Sequence, residues 1–265
     1  MKLVSVGDNC MDVYSDGTYY PGGNPVNVAV YFVRLGGKAS YVGVVGSDKY
    51  GKMMVDAINK KNVDTSFVEV AQGKTAITQV ELVNGDRVFG DYDEGVLADF
   101  KLSNEQKEFI LQHDLVVTGL WGNVHNEYKE LHDRGIKTAF DSHNRPYDEA
   151  PKIIIPYVDY FFYSADENDD SPELREQMKD LHSKGPKLVI VTMGANGSMV
   201  YDGETFIKYG IIPCEVVDTM GAGDSYIAGF LKGILEDKEI IECMEMGARN
   251  SSETISYSGA WSVED

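Results

Sequence analysis

A mostly parallel β-sheet covered by helices on both faces is the fold this sequence predicts, and three features predict it. Strand-like and helix-like segments alternate almost from end to end of the 265 residues. Several strand segments are continuous apolar runs, as strands buried on both faces require. Polar residues collect directly after successive strands, where an open α/β sheet binds its ligands.

KLVSVG (2–7) reads as a buried strand, followed by Asp8, Asn9 and Asp12. NVAVYFVRLG (27–36) has apolar residues at helical spacing, preceded by Gly22-Gly23-Asn24 and stopped by Gly36 and Gly37. ASYVGVVG (39–46) is the second strand, and DKYGKMMVDAINKKN (48–62) a helix that starts at Asp48. DLVVTG (114–119) leads to Trp121-Gly122-Asn123, KTAFD (137–141) to Arg145, and YVDYFFYS (157–164) to an acidic loop at 166–173. In that loop Ser171 before Pro172 is a helix N-cap. KLVIVTMG (187–194) is the strongest buried strand, followed by strand-like SMVYDG, and helices over 223–236 and about 239–257 close the chain. Two stretches break the pattern. CMDVYSDGTYY (10–20) and the run from 65 to 93 alternate with period two and turn at Asp16-Gly17 and Asn84-Gly85-Asp86. They predict antiparallel hairpins that form a small projecting sheet.

The composition, 43% hydrophobic and 25% charged, is that of an ordinary globular protein. A formal net charge of −19 without any Lys/Arg run excludes nucleic acid as a partner and opposes anionic membranes. The acidic excess fits a solvated surface, and it also suits a cationic or amine-bearing substrate. Three cysteines without a CxxC pair fit reduced thiols in a cytoplasmic protein rather than a disulfide framework or zinc site. Neither a leader segment nor an apolar run of membrane-spanning length is expected.

DTMGAGDSY (218–226) opens the first of the closing helices. Gly221-Ala222-Gly223 either packs that helix tightly on the sheet or turns bare N–H groups toward an anion. The lysine of a P-loop is absent, so a phosphate bound here would rest on backbone amides. Asp224 is either a first-turn aspartate favoured by the helix dipole or a base beside the anion site that accepts the proton of an attacking hydroxyl. TMGANG (192–197) reads equally as a hairpin turn or a nucleotide-lining loop. The five histidines show no metal-ligand spacing, and neither GxSxG nor a GxGxxG after the first strand is present.

GGNPVNVA (22–29) together with DTMGAGD (218–224) resembles the two signature regions of the PfkB/ribokinase family of sugar kinases, over essentially the whole chain. Within that family, GDNCMDVY, TQVELVNGDRVFGDYDEGV, ADF and the closing SGAW resemble kinases of fructosamines, sugars joined to an amine. The resemblance implies one ribokinase-like three-layer α/β/α domain over 1–265 with a small β-sheet lid from about 10–20 and 65–95. It implies ATP and Mg2+ as cofactors, K+ in ribokinase relatives, and a homodimer joined through the lid; Tyr19, Tyr20, Phe67, Val80 and Phe89 fit such an interface and fit a covered lid equally well. By position, Asp224 resembles the catalytic base and Gly221, Ala222 and Gly223 the anion hole. Asp12, Gly23 and Asn27 match sugar-binding positions, with Asp8, Asn24 and Trp121 beside them, and Arg145 matches an arginine near the transferred phosphate. Thr192, Gly194, Gly197 and Thr219 match the nucleotide side. Glu167 matches the glutamate that arranges magnesium through water, although Ser164 replaces the asparagine of that motif. Asp218 and Gly259 would flank the monovalent cation.

For a fructosamine, a lid carboxylate among Asp91, Asp93 and Glu94 would pair with the substrate amine and Arg87 with a substrate carboxylate; otherwise these charges solvate a hairpin. Other readings are a relative acting on fructose, 2-keto-3-deoxygluconate or a nucleoside, and a silent sugar- or nucleotide-binding regulator. The intact GAGD counts against the silent regulator.

Overall fold

The computed structural model describes residues 1–83, 86–165 and 170–262, with backbone only at 82, 83 and 86–89. In chain order the first half comprises β1 (Lys2–Val6), β2 (Cys10–Tyr14), β3 (Tyr19–Gly22), α1 (Asn24–Arg34), β4 (Lys38–Val42), β5 (Val44–Gly46), α2 (Lys49–Lys60), β6 (Glu69–Ala71), β7 (Ile77–Val83), β8 (Asp86–Asp93) and α3 (Asn104–Ile110). The second half comprises β9 (Leu115–Gly119), α4 (Tyr128–Asp133), β10 (Lys137–Asp141), α5 (Glu149–Ile154), β11 (Tyr160–Ser164), α6 (Pro172–His182), β12 (Leu188–Thr192), β13 (Ser198–Tyr201), β14 (Phe206–Tyr209), α7 (Ala222–Leu235) and α8 (Ile240–Thr254).

Several helices start where a side chain caps them. Asp48 accepts the Gly51 amide at 2.9 Å, Ser103 and Gln106 form a reciprocal capping box, and Ser171 accepts the Leu174 amide ahead of Pro172. α1 ends at Gly36, whose φ of 80° lets the Gly36 and Gly37 amides turn back to the Val33 and Phe32 carbonyls.

The main sheet runs β14-β13-β12-β11-β10-β9-β1-β4, parallel from β12 to β4 and closed by two antiparallel strands. Successive strand residues feed two separate cores. Leu3, Leu115, Val117 and Ile190 pack with α1, α7 and α8, whereas Val4, Val116, Val189 and Val191 pack with α4 and α6. That is the three-layer arrangement the continuous apolar runs predict.

Strand order reverses at β1, which lies between β9 and β4, so the crevice outside its C-terminal end is the topological switch point. Two loops form its floor. Gly7 has a φ of 118°, and a Cβ there would lie 2.5 Å from the Gly122 Cα, so both loops approach without side chains.

The second sheet, β3-β2-β7-β8, covers parts of the two period-two stretches. Its middle pair, β2 with β7, is parallel rather than antiparallel, because both strands run outward from the main domain and their hairpin partners return. Residues 65–71 do not join it. β6 pairs with β5, and Phe67 stacks on Phe109 at 4.1 Å in the main core. The strand expected over 39–46 divides at Gly43, which lies against the Tyr41 ring, while the Tyr41 hydroxyl donates to the Gly7 carbonyl at 2.7 Å. Asn24, expected before the first helix, lies in its first turn, and the helix starts three residues ahead of Asn27. The Asn84-Gly85 turn falls outside the described residues.

Replacing Gly7 with Ala is expected to lower stability by about 2–3 kcal/mol, since it adds a backbone clash to a strained φ. An unchanged urea midpoint would show that the two floor loops can separate at little cost.

Candidate active site

Three carboxylates converge above the switch point. Asp8 follows β1, Asp141 ends β10, and Asp224 sits in the first turn of α7. α1 braces them. The Asn24 amide nitrogen donates to Asp141 Oδ2 at 2.8 Å and to Asp224 Oδ1 at 2.6 Å, and Asn27 Nδ2 donates to Asp224 Oδ2 at 2.7 Å. Gly119 makes room for this bridge, because a Cβ there would lie 2.5 Å from Asn24 Oδ1. Gly23 does the same below. Its φ is 107°, and a Cβ would lie 2.7 Å from the Asn9 Cα, so the glycine seats α1 on the loop after β1.

The electrostatics follow from desolvating like charges together. Burial, and then the neighbouring Asp224, push the Asp8 carboxyl up to about 7. Burial and Asp224 raise Asp141 to about 6. Burial raises Asp224 as well, opposed by the amide donors of Asn27 and Asn24 and by the nearby His143. Asp8 is only 5% exposed, and its Oδ1 has no hydrogen-bond partner.

The loop at 221–224 is open to a ligand. Gly221 takes a left-handed φ of 74° at the N-cap and supplies no side-chain cap to α7. A Cβ on Gly221 would collide with the Tyr31 hydroxyl, whereas a Cβ on Gly223 would meet nothing within 4 Å. The Ala222 amide at the start of α7 is taken by the Thr219 carbonyl, and open space lies beside Gly223, where a phosphate would approach the helix N-terminus.

Around this centre, Asp12 lies beside Gly22 and Cys10 on the small sheet. Trp121, 38% exposed, stands edge-on to the His143 ring at 5.6 Å. Thr192 and Ser164 share a hydrogen bond at 3.1 Å at the ends of adjacent strands. Gly194 and Gly197 form the β12–β13 hairpin with φ of 53° and 84°; a Cβ on Gly194 would meet nothing within 4 Å. Thr219 is exposed and its carbonyl accepts the Ala222 amide. Asp218 and Gly259 do meet: Asp218 Oδ2 accepts the Gly259 amide at 2.7 Å, and Oδ1 accepts Met220 at 3.1 Å.

Other expected residues are not drawn to the carboxylates. Asp91 is exposed at a bulge where Gly90 and Asp91 stand opposite Gln79. Asp93 accepts the Gly95 amide, and the exposed Arg145 guanidinium faces Asp148 at 3.9 Å. The Arg87 and Phe89 side chains and Glu167 lie outside the described residues. Sequence reading missed four participants. His143 at φ 54°, Tyr92 near Asp8, Tyr31 beside Gly221, and Trp261 behind Asn27 come from four separate segments; Tyr92 and Trp261 fall inside stretches that carry the family resemblance, which gives neither of them a role.

The description "pfkB family carbohydrate kinase" belongs to a family model that matches residues 3–265. Fructoselysine 6-kinase of Escherichia coli (strain K12) is 42% identical over 260 residues, covering 98% of this chain and 99% of that one. Fructosamine kinase FrlD of Bacillus subtilis (strain 168) is 33% identical over 266 residues, covering 98% and 93%. Among solved structures, Arabidopsis thaliana ribokinase complexed with ribose and ATP has the same fold, with a TM-score of 0.86 over 97% of this chain and 93% of that chain at 22% identity.

The raised Asp8 carboxyl gives a stability prediction. Between about pH 4 and about pH 7 the folded chain keeps a proton on Asp8 that the unfolded chain has released, so stability falls as pH rises through that window. Asp8→Asn is expected to stabilise the protein by a few kcal/mol more at pH 8 than at pH 4, read from urea unfolding. An equal effect at both pH values would mean that Asp8 titrates normally.

Proposed function

Because this chain belongs to the pfkB family of carbohydrate kinases, we propose that it transfers the terminal phosphoryl group of MgATP to the 6-hydroxyl of fructoselysine or a related fructosamine. The observation that carries the reading is Asp224. It is a carboxylate held at both oxygens by the side-chain amides of Asn24 and Asn27 on α1, in the first turn of a helix that has no side-chain cap.

In this reaction the sugar hydroxyl attacks the γ-phosphorus and its proton passes to Asp224. The bond from that phosphorus to the β-phosphate oxygen breaks, and ADP leaves. The amides of the 221–224 loop stabilise charge on the transferred group. Gly223 and Gly194 leave room for phosphate, and the exposed Ile211, Val216 and Val217 between β14 and α7 offer apolar surface to a base. Magnesium comes to the reaction with ATP, and Glu167, the residue matched to it, lies outside the described residues. Sugar recognition falls to Asp12, Asp8 and the exposed Trp121 ring. The unpartnered Asp8 oxygen suits a hydroxyl or, better, the substrate's protonated amine. In this role Asp8 takes the place sequence reading gave to a lid carboxylate among Asp91, Asp93 and Glu94.

Pairing of two chains through the small sheet belongs to the same proposal, since the edge strand β3 exposes Tyr19 and Tyr20. No helix among the described residues is long and apolar enough to cross a membrane.

The test is ADP release from MgATP with ε-fructoselysine and, in parallel, with fructose. Turnover on fructoselysine with little on fructose supports the substrate; the reverse order points to a plain ketose kinase. Asp224→Asn is expected to lower kcat by about 10²–10⁴-fold, and retained turnover would remove Asp224 as the base. Gly223→Ala should raise helix stability by up to about 1 kcal/mol while lowering kcat, because its methyl enters the space left for phosphate. Asp8→Asn should raise KM for fructoselysine more than for fructose, and equal losses would assign Asp8 to a shared hydroxyl.

A further inference from the structure

Asn27 matches a sugar-binding position, yet its amide is committed elsewhere at both ends. The indole Nε1 of Trp261 donates to Asn27 Oδ1 at 2.8 Å, and Asn27 Nδ2 donates to Asp224 Oδ2 at 2.7 Å. Both residues are buried, Trp261 at 6% and Asn27 at 7% exposure, so water does not compete freely for either contact. An indole N–H can only donate. It therefore fixes which end of the amide is oxygen and forces the NH2 end toward the carboxylate.

We propose that Trp261 is a positioning residue for phosphoryl transfer, setting the orientation of the Asn27 amide and through it the rotamer of Asp224. This rests on the reading of Asp224 as the base. Without the indole donor the amide is free to turn over. Its oxygen would then face a carboxylate oxygen, leaving the base repelled on one side and held only by Asn24 on the other. The relay joins distant parts of the chain: Trp261 follows α8, Asn27 lies in α1, and Asp224 opens α7. A neighbouring contact secures the same region, where the Tyr31 and Tyr257 hydroxyls both donate to the Ala260 carbonyl next to Trp261. Tyr31 also blocks the space beside Gly221. The C-terminal segment thus supports both the base and the anion loop.

A purely structural tryptophan would give a different result from a relay, and Trp261→Phe separates them because it keeps most of the ring and removes the donor. The groups around Asp224 are Asp8 after β1, Asp141 and His143 at and after β10, and Tyr31 on α1. Trp261→Phe changes none of them. The expected result is a fall in kcat of about 10-fold or more with KM for MgATP within twofold of wild type. The acid limb of the kcat–pH profile should move to higher pH, because Asp224 loses a donor that favours its charged form. In an Asn27→Ala background the same substitution should cost nothing further.

Carbon-13 NMR titration of the Asp224 carboxyl, without substrate, separates the relay from the base assignment. An upward shift in Trp261→Phe supports the relay even where kcat is unchanged, in which case it is the base assignment that fails. An unmoved titration, or full additivity with Asn27→Ala, overturns the relay and leaves Trp261 a packing residue.

Discussion

Three carboxylates share one desolvated crevice, and the arrangement of the site depends on how that repulsion is contained. Burial raises the proton affinity of Asp8, Asp141 and Asp224, and the charge of Asp224 raises that of Asp8 and Asp141 further. Two asparagines from one helix hold them by donating to Asp141 and to both oxygens of Asp224. An amide suits this work because it donates hydrogen bonds without adding a charge that would neutralise the base. α1 can carry both asparagines into the crevice because Gly23 and Gly119 leave room for it.

This containment ties the fold to the chemistry. The switch point at β1 brings the loop ends of β1, β9 and β10 together, and α7 arrives from the far end of the chain with no side chain capping its first turn. A hydroxyl placed between Asp224 and the α7 amides would meet a proton acceptor on one side and phosphate stabilisation on the other. A desolvated carboxylate cluster also favours a cationic ligand over a neutral one, which is what distinguishes a fructosamine from a plain sugar.

Much of this was legible in the sequence. The alternation of apolar runs and helical periods gave the three layers, and GGN with GAGD located α1 and α7 and the residues between which the reaction is proposed to occur. The order of the small sheet was not legible, because a parallel β2–β7 pair joins residues that period-two alternation cannot connect. Asp91 looked equivalent to Asp93 as a ligand by composition alone, and a bulge at Gly90 is a matter of register. The commitment of Asn27 was hidden for a different reason: its partner Trp261 stands 234 positions away, and only the packing of α1, α7 and α8 brings them together. Glycines were the most informative residues where they allow close approach, at Gly23 and Gly221, and there the proposed chemical role and the steric role coincide.

The central claim is that Asp224 acts on the chemical step rather than on binding. Rapid-quench single turnovers of MgATP and fructoselysine on Asp224→Asn, with both affinities measured by calorimetry, test it most directly. The account predicts affinities near those of the unaltered protein and a phosphoryl-transfer step slowed by about 10²-fold or more. An unaltered transfer rate, with the loss confined to sugar affinity, would contradict it and make Asp224 a binding residue.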